Sequence, residues 1–184
     1  MKILRADDMP ATPWKNGGGM TRELIASPAG SDWRVRLSVA EIERDGPFSA
    51  YPGVQRWFVV LKGAGVELDI AGVTHRLTRD SHPLCFDGAA APGCRLIDGP
   101  TRDLNLMLRG AGGSVQIADD GLDWAPDAAR CGLFTAVAGV CETGSGAQAL
   151  APYTLAWFDP APATLRFTAG QRPAGAIGWW IAAS

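Results

Sequence analysis

Apolar and polar positions alternate in short runs along most of the chain. Over residues 33–42, WRVRLSVAEI, Trp33, Val35, Leu37 and Val39 fall on one side and Arg34, Arg36, Ser38 and Ala40 on the other, the two-residue period of a strand. A strand over Leu104–Arg109 has the same period, with Leu104, Leu106 and Leu108 on one face and Asn105, Met107 and Arg109, preceded by Asp103, on the other. RWFVVLKGAGVELDIAG reads as a strand through Leu61, a turn at Lys62–Gly65 and a partner strand Val66–Ile70, an antiparallel hairpin. Further strands are expected at Val73–Leu77, Pro83–Phe86 and Cys94–Ile97. Beyond a Gly-rich break at 110–113 come Ser114–Ala118, Leu133–Cys141, Tyr153–Phe158, Thr164–Phe167 and Ala176–Ala182. No segment has the period of a long amphipathic helix. About a dozen strands exceed the eight of one jelly roll, so two sheet-built halves explain the count better than one.

Composition agrees with this rhythm. Gly 23 and Pro 13 among 184 residues, with 47% hydrophobic residues, describe a turn-rich globular chain rather than a disordered one. A net charge of -2 gives no overall attraction to a phosphate backbone or an anionic membrane. Charges interrupt any apolar run in MKILRADDMP, so a cytoplasmic protein without a membrane anchor is expected. Cys85, Cys94, Cys131 and Cys141 contain no C-x-x-C pair and read as buried reduced thiols. His75 and His82, the only histidines, read as surface imidazoles and rule out any site built from three.

Three segments carry candidate chemistry. In Trp14-Lys15-Asn16-Gly17-Gly18-Gly19-Met20-Thr21-Arg22-Glu23 the glycines permit close approach of backbone N–H groups to a ligand, but the spacing is not that of a phosphate-binding loop. A plain flexible turn is the competing reading. In Pro52-Gly53-Val54-Gln55-Arg56 the arginine suits an anion, unless it is an exposed strand residue paired with an acid. The polar face of Asp103, Asn105 and Met107 fits either a polar cavity or ordinary solvent. No nucleophile triad is present, and Glu23 and Asp103 are the acids available for proton transfer. An exposed aromatic end at Trp179–Trp180 would suit a partner-binding scaffold.

Taken in order, WKNGGGMTREL (14–24), RLSVAEI (36–42) followed by DGPFS (45–49), PGVQR (52–56), LKGAG (61–65), FDG (86–88) and DGPTRDLNLM (98–107) resemble the HutD/Ves family of bacterial bicupins. The resemblance implies an all-β fold of two cupin-like β-barrels, RmlC-like jelly rolls packed in one chain. Residues 1–110 would form the barrel carrying the motifs and 111–184 the C-terminal half, with exchange of strands between them open. In metal-binding cupins the stretch at Pro52–Arg56 holds two histidines as H-x-H; here those positions are unfilled, which implies no metal and no cofactor. By the same resemblance the ligand-binding residues are Asn16, Thr21, Arg22, Glu23, Arg36, Ser38, Arg56, Asp103, Asn105 and Met107, with Trp14 or Phe48 closing the mouth. Family members usually have Trp directly before Arg-x-Ser; this chain has Val35 there and Trp33 two residues earlier, which by parity keeps the indole on the same face. The implied function is a metal-independent binding protein for a small organic acid, urocanate- or formylglutamate-like, that senses or regulates histidine catabolism. No nucleic-acid or membrane partner is implied, and the chain would be a monomer or homodimer. The alternative is a metal-free cupin isomerase, epimerase or hydrolase acting on a small polar substrate.

Overall fold

A computed structural model describes residues 1–171 and 175–184. Among them there is no α-helix; nineteen strands and two single 3₁₀ turns, Ala6–Asp8 and Gly88–Ala90, make up the regular structure. The strands are β1 (Lys2–Arg5), β2 (Ala11–Pro13), β3 (Gly19–Ser27), β4 (Val35–Ile42), β5 (Gly46–Pro47), β6 (Val54–Lys62), β7 (Val66–Ile70), β8 (Val73–Leu77), β9 (Leu84–Asp87), β10 (Gly93–Leu96) and β11 (Thr101–Arg109). They continue as β12 (Gly113–Ile117), β13 (Asp123–Trp124), β14 (Arg130–Thr135), β15 (Gly139–Thr143), β16 (Gly146–Leu150), β17 (Thr154–Phe158), β18 (Leu165–Ala169) and β19 (Gly178–Ala183). The chain divides into one compact unit of Pro10–Ala111 and a second of Met1–Met9 with Gly112–Ser184.

The Pro10–Ala111 unit has a six-stranded antiparallel sheet, β2-β3-β4-β11-β6-β9, and a four-stranded sheet, β5-β10-β7-β8. Its core draws Ile42, Phe58, Val60 and Phe86 from the first sheet and Val66, Leu68, Leu77 and Cys94 from the second, so the two sheets face each other across it. The other unit repeats the plan, with β1-β17-β14-β19-β12 facing β13-β18-β15-β16. Leu133, Phe158 and Trp180 of one sheet meet Cys141, Leu165 and Phe167 of the other. Among the described residues hydrogen bonding does not run continuously around either unit, so each is an open two-sheet jelly roll rather than a closed barrel. β1 at the extreme N-terminus pairs with β17, Lys2 opposite Trp157 through Arg5 opposite Thr154.

Four sequence expectations are corrected. β6 and β7 do not form a hairpin: β6 pairs with β11 and β9, whereas β7 pairs with β10 and β8. The turn between them crosses from one sheet to the other through Gly63 and Gly65, at φ 99 and 113, where a side chain would strike the carbonyls of Pro100 and Leu77. The true hairpin is β7–β8, closed by Ala71 and Gly72 with φ 52 and 81, the double positive φ that suits the twist of paired strands. The Leu133–Cys141 run is two strands, β14 and β15. Trp179 and Trp180 lie on β19, second from the edge of its sheet, 2% exposed each, with Trp180 stacked on Trp124 at 4.9 Å; they are core and present no free aromatic end. Cys94, Cys131 and Cys141 are buried free thiols, whereas Cys85 is exposed on β9, the edge strand of its sheet, which corrects the expectation that all four are buried.

Candidate functional site

One face of the six-stranded sheet carries a register of chemistry. Reading across the strands, Glu23, Ser38, Asn105 and Phe58 form one row and Ala26, Arg36, Met107, Arg56 and Phe86 the next. A β-bulge at Leu24, where β3 shifts register against β4 between Glu23 and Ile25, leaves both Glu23 and Ala26 opposite cavity-side residues of β4. Above this floor, the 45–53 loop is pinned by the pairing of β5 with β10 and by the Phe48 N–H donating to the Pro92 carbonyl at 2.9 Å. The 14–18 loop closes on itself, Trp14 N–H to the Gly19 carbonyl at 2.9 Å and Gly18 N–H to Asn16 Oδ1 at 3.0 Å. Floor and loops enclose a cavity of about 680 Å³ lying wholly within the Pro10–Ala111 unit.

Eight of the ten candidate residues line it: Asn16, Thr21, Glu23, Arg36, Ser38, Arg56, Asn105 and Met107. Arg22 does not; it points from the opposite face of the sheet, with its Nε 3.4 Å from Glu41 Oε1. Asp103 shares the inward face but sits deeper, between Ala40 and Val60, with no exposure and outside the cavity wall. Trp14 and Phe48 both line the mouth and meet edge to face at 6.5 Å, with Trp14 Nε1–H donating to Thr21 Oγ1 at 2.7 Å. Trp33 departs from its expected face. The backbone leaves the strand before Val35, so Val35 is buried with Leu37 and Val39, while Trp33 packs with Met107 and Val54 under the guanidinium of Arg109. Tyr51, Phe86 and Lys15 belong to the site although the sequence singled none of them out as ligand-binding; Tyr51 and Lys15 line the cavity, and Phe86 stacks on its buried arginine.

Arg56 is the electrostatic centre. It is 6% exposed, with its guanidinium 5.0 Å from the ring centre of Phe48, 5.1 Å from Phe86 and 5.9 Å from Tyr51. Nη2 donates to Asn105 Oδ1 at 2.8 Å, Nε has no partner, and among the described residues no carboxylate lies within ion-pair distance. Burial, with a smaller contribution from Arg36, pulls its pKa down to about 10, against an opposing influence of Tyr51. Arg36 is engaged differently, its Nε donating to Glu23 Oε2 at 2.7 Å and its Nη1 lying 3.8 Å from the Met107 thioether. Asn105 spends its oxygen on Arg56 and turns its amide N–H groups to the cavity beside Ser38 Oγ, which makes no hydrogen bond among the described residues.

Asp103 accepts from Thr101 Oγ1 at 2.8 Å through Oδ2, and its Oδ1 is buried without a partner. Burial pushes its pKa well above the carboxylate range, only partly offset by the Thr101 hydrogen bond. Of the two acids considered for proton transfer, one is therefore sealed beneath the floor and the other is tied to Arg36. The cavity does not suit a divalent cation: its floor presents guanidinium and amide donors, and among the described residues no group of three or more His, Cys, Asp and Glu is placed to hold a metal. His75 is half-buried and His82 exposed, and neither lines the cavity.

Comparison with known proteins bears on this geometry. The HutD family model matches residues 6–174. A 21.2 kDa protein of the hutC 3′ region in Pseudomonas putida is 40% identical over 111 residues, which is 58% of this chain and 57% of that relative's length. HutD from Pseudomonas fluorescens SBW25, solved in a formate condition, superposes with a TM-score of 0.85 at 28% identity, over 100% of this chain and 97% of that one. The protein Ylba from E. coli shares the fold alone, with a TM-score of 0.71 at 9% identity over 97% of this chain and 88% of that one. The architecture is thus an all-β, cupin-like jelly roll. No helix among the described residues is long and apolar enough to cross a membrane.

Proposed function

This chain belongs to the HutD family, and on that footing we propose that it is a metal-independent cytoplasmic binding protein for a small organic acid, with a sensory or regulatory role in histidine utilisation. The family context is histidine utilisation; the ligand and the role are our reading. One observation carries it: Arg56 is a buried guanidinium, ringed by aromatic side chains, that faces the cavity and, among the described residues, pairs with no carboxylate, since Glu23 on the cavity wall is bound to Arg36. A buried cation without a counter-ion is costly, and sites that hold one are suited to an anion supplied from outside. The free donors beside it, the Asn105 amide and Ser38 hydroxyl, are what the remaining lone pairs of a carboxylate require. Phe48 and Trp14 at the mouth supply apolar contact for the body of the ligand.

Calorimetric titration with urocanate, formylglutamate and simple sugars tests this, using the native chain and Arg56→Met. The acids bind the native chain and the sugars do not. Arg56→Met abolishes acid binding, and because it removes an uncompensated buried charge it also stabilises the ligand-free protein by about 1–3 kcal/mol. Acid binding that survives the substitution overturns the assignment.

A further inference from the structure

The reading above places one carboxylate on Arg56; resting on it, we propose that the cavity is built for a dicarboxylate, with the second carboxylate received at the mouth by Arg36 and Lys15. Among the described residues the cavity walls hold three cations, Lys15, Arg36 and Arg56, against one carboxylate, Glu23, a surplus of two positive charges in a chain whose overall charge is -2. A monocarboxylate on Arg56 cancels only half of that surplus.

The positions of the charges set the shape of the ligand. Arg36 on β4 and Arg56 on β6 are the two cross-strand neighbours of Met107 on β11, so their backbones stand about 9–10 Å apart, two strand spacings. The Met107 thioether lies between them, contacting Arg36 Nη1 at 3.8 Å and offering only a weak acceptor. The two guanidinium groups feel each other as like charges, for Arg36 is among the influences that lower the Arg56 pKa. An anion on Arg56 alone leaves Lys15 and Arg36 at the other end with Glu23 as their single counter-charge among the described lining residues, whereas a diacid spanning the thioether neutralises both ends.

Glu23 marks where the second carboxylate goes. Among the described residues it is the only carboxylate on the cavity wall, its side chain is 48% exposed, and its Oε2 already accepts from Arg36 Nε at 2.7 Å. Glu23 thus acts as an internal stand-in that a ligand carboxylate displaces or joins. Lys15, exposed on the 14–18 loop at the same mouth, adds a flexible ammonium suited to varied chain lengths.

The experiment is calorimetric titration of the full chain with succinate, glutarate and adipate, each beside its monoamide, which keeps the length and removes one charge. The best diacid is expected to bind about tenfold tighter than its monoamide, the order of one added charge-assisted contact. Glu23→Gln, which releases Arg36, strengthens diacid binding more than monoamide binding and so widens the gap between them; Lys15→Ala on the exposed loop shrinks the advantage of the diacid. Equal affinity for diacid and monoamide, both still lost in Arg56→Met, overturns the dicarboxylate inference while the acid-binding reading stands. Binding of none of these acids overturns both.

Discussion

Arg56 and Asp103 lie on the same inward face of one sheet, yet burial leaves them in different charge states. An arginine starts so far above neutrality that even a pKa of about 10 leaves it cationic and in need of an anion. An aspartate starts below, and with its Oδ1 unpartnered in the core it is driven toward the neutral acid. The sign of the resulting pH dependence follows from linkage. Above the unfolded pKa of about 4 the unfolded chain has lost this proton while the folded chain keeps it, so stability falls as pH rises until the folded pKa is passed. Asp103→Asn keeps an acceptor for Thr101 and removes the titration. Urea unfolding of both proteins from pH 4.5 to 8, values chosen to bracket the lower limb (about 4 upward), should show the variant gaining on the native chain as pH rises. Parallel curves would mean that Asp103 is ionised in the fold.

The glycine triplet shows what an element demands of its residues. Gly17 has φ 68 and nothing within 4 Å of a Cβ placed on it, so its glycine answers to backbone conformation alone. Gly19, already in β3, has ordinary φ, but a Cβ would stand 2.2 Å from the Glu41 carbonyl oxygen across the pair with β4. Gly17→Ala therefore costs about 1 kcal/mol, the usual penalty of a left-handed position, and retains acid binding. Gly19→Ala must separate β3 from β4, destabilises by about 2–4 kcal/mol and weakens binding, because Glu23, Arg36 and Ser38 ride on those strands. Thermal unfolding with titration of each variant checks both; equal losses would contradict the distinction. The sequence could not separate these roles, since three glycines in a row look alike. It missed β3 for a related reason: the bulge at Leu24 breaks the alternation of MTRELIAS, so Thr21 and Arg22 could not be assigned to opposite faces. Where alternation is unbroken, as in β4 and β11, the faces were legible. Whether the polar face met solvent or a cavity was not, because that depends on the loops and the second sheet that fold over it.

Across the molecule, two units of similar plan use their interiors differently. The unit of Met1–Met9 and Gly112–Ser184 fills the space between its sheets with Phe158, Phe167, the Trp124–Trp180 stack and two thiols, Cys131 and Cys141, whose pKa values burial pushes up to about 12 and about 11. In the Pro10–Ala111 unit apolar packing fills one part of the sandwich and gives way to the charged cavity in the rest. Ligand binding then adds free energy to strands that the empty protein holds against an unneutralised cation. At a ligand concentration about 100 times Kd the folded state gains about 2.7 kcal/mol, and amides that open only by unfolding of the binding strands slow accordingly, by about a hundredfold. Hydrogen exchange with and without saturating acid should show that slowing in β4, β6 and β11, whose side chains Arg36, Ser38, Arg56 and Asn105 face the cavity. The edge strand β8, which contributes nothing to the cavity wall, serves as the internal reference within the same unit. Slowing in β14, β17 and β19 with β4 and β11 unchanged would put the binding site in the other unit and remove Arg56 from its centre.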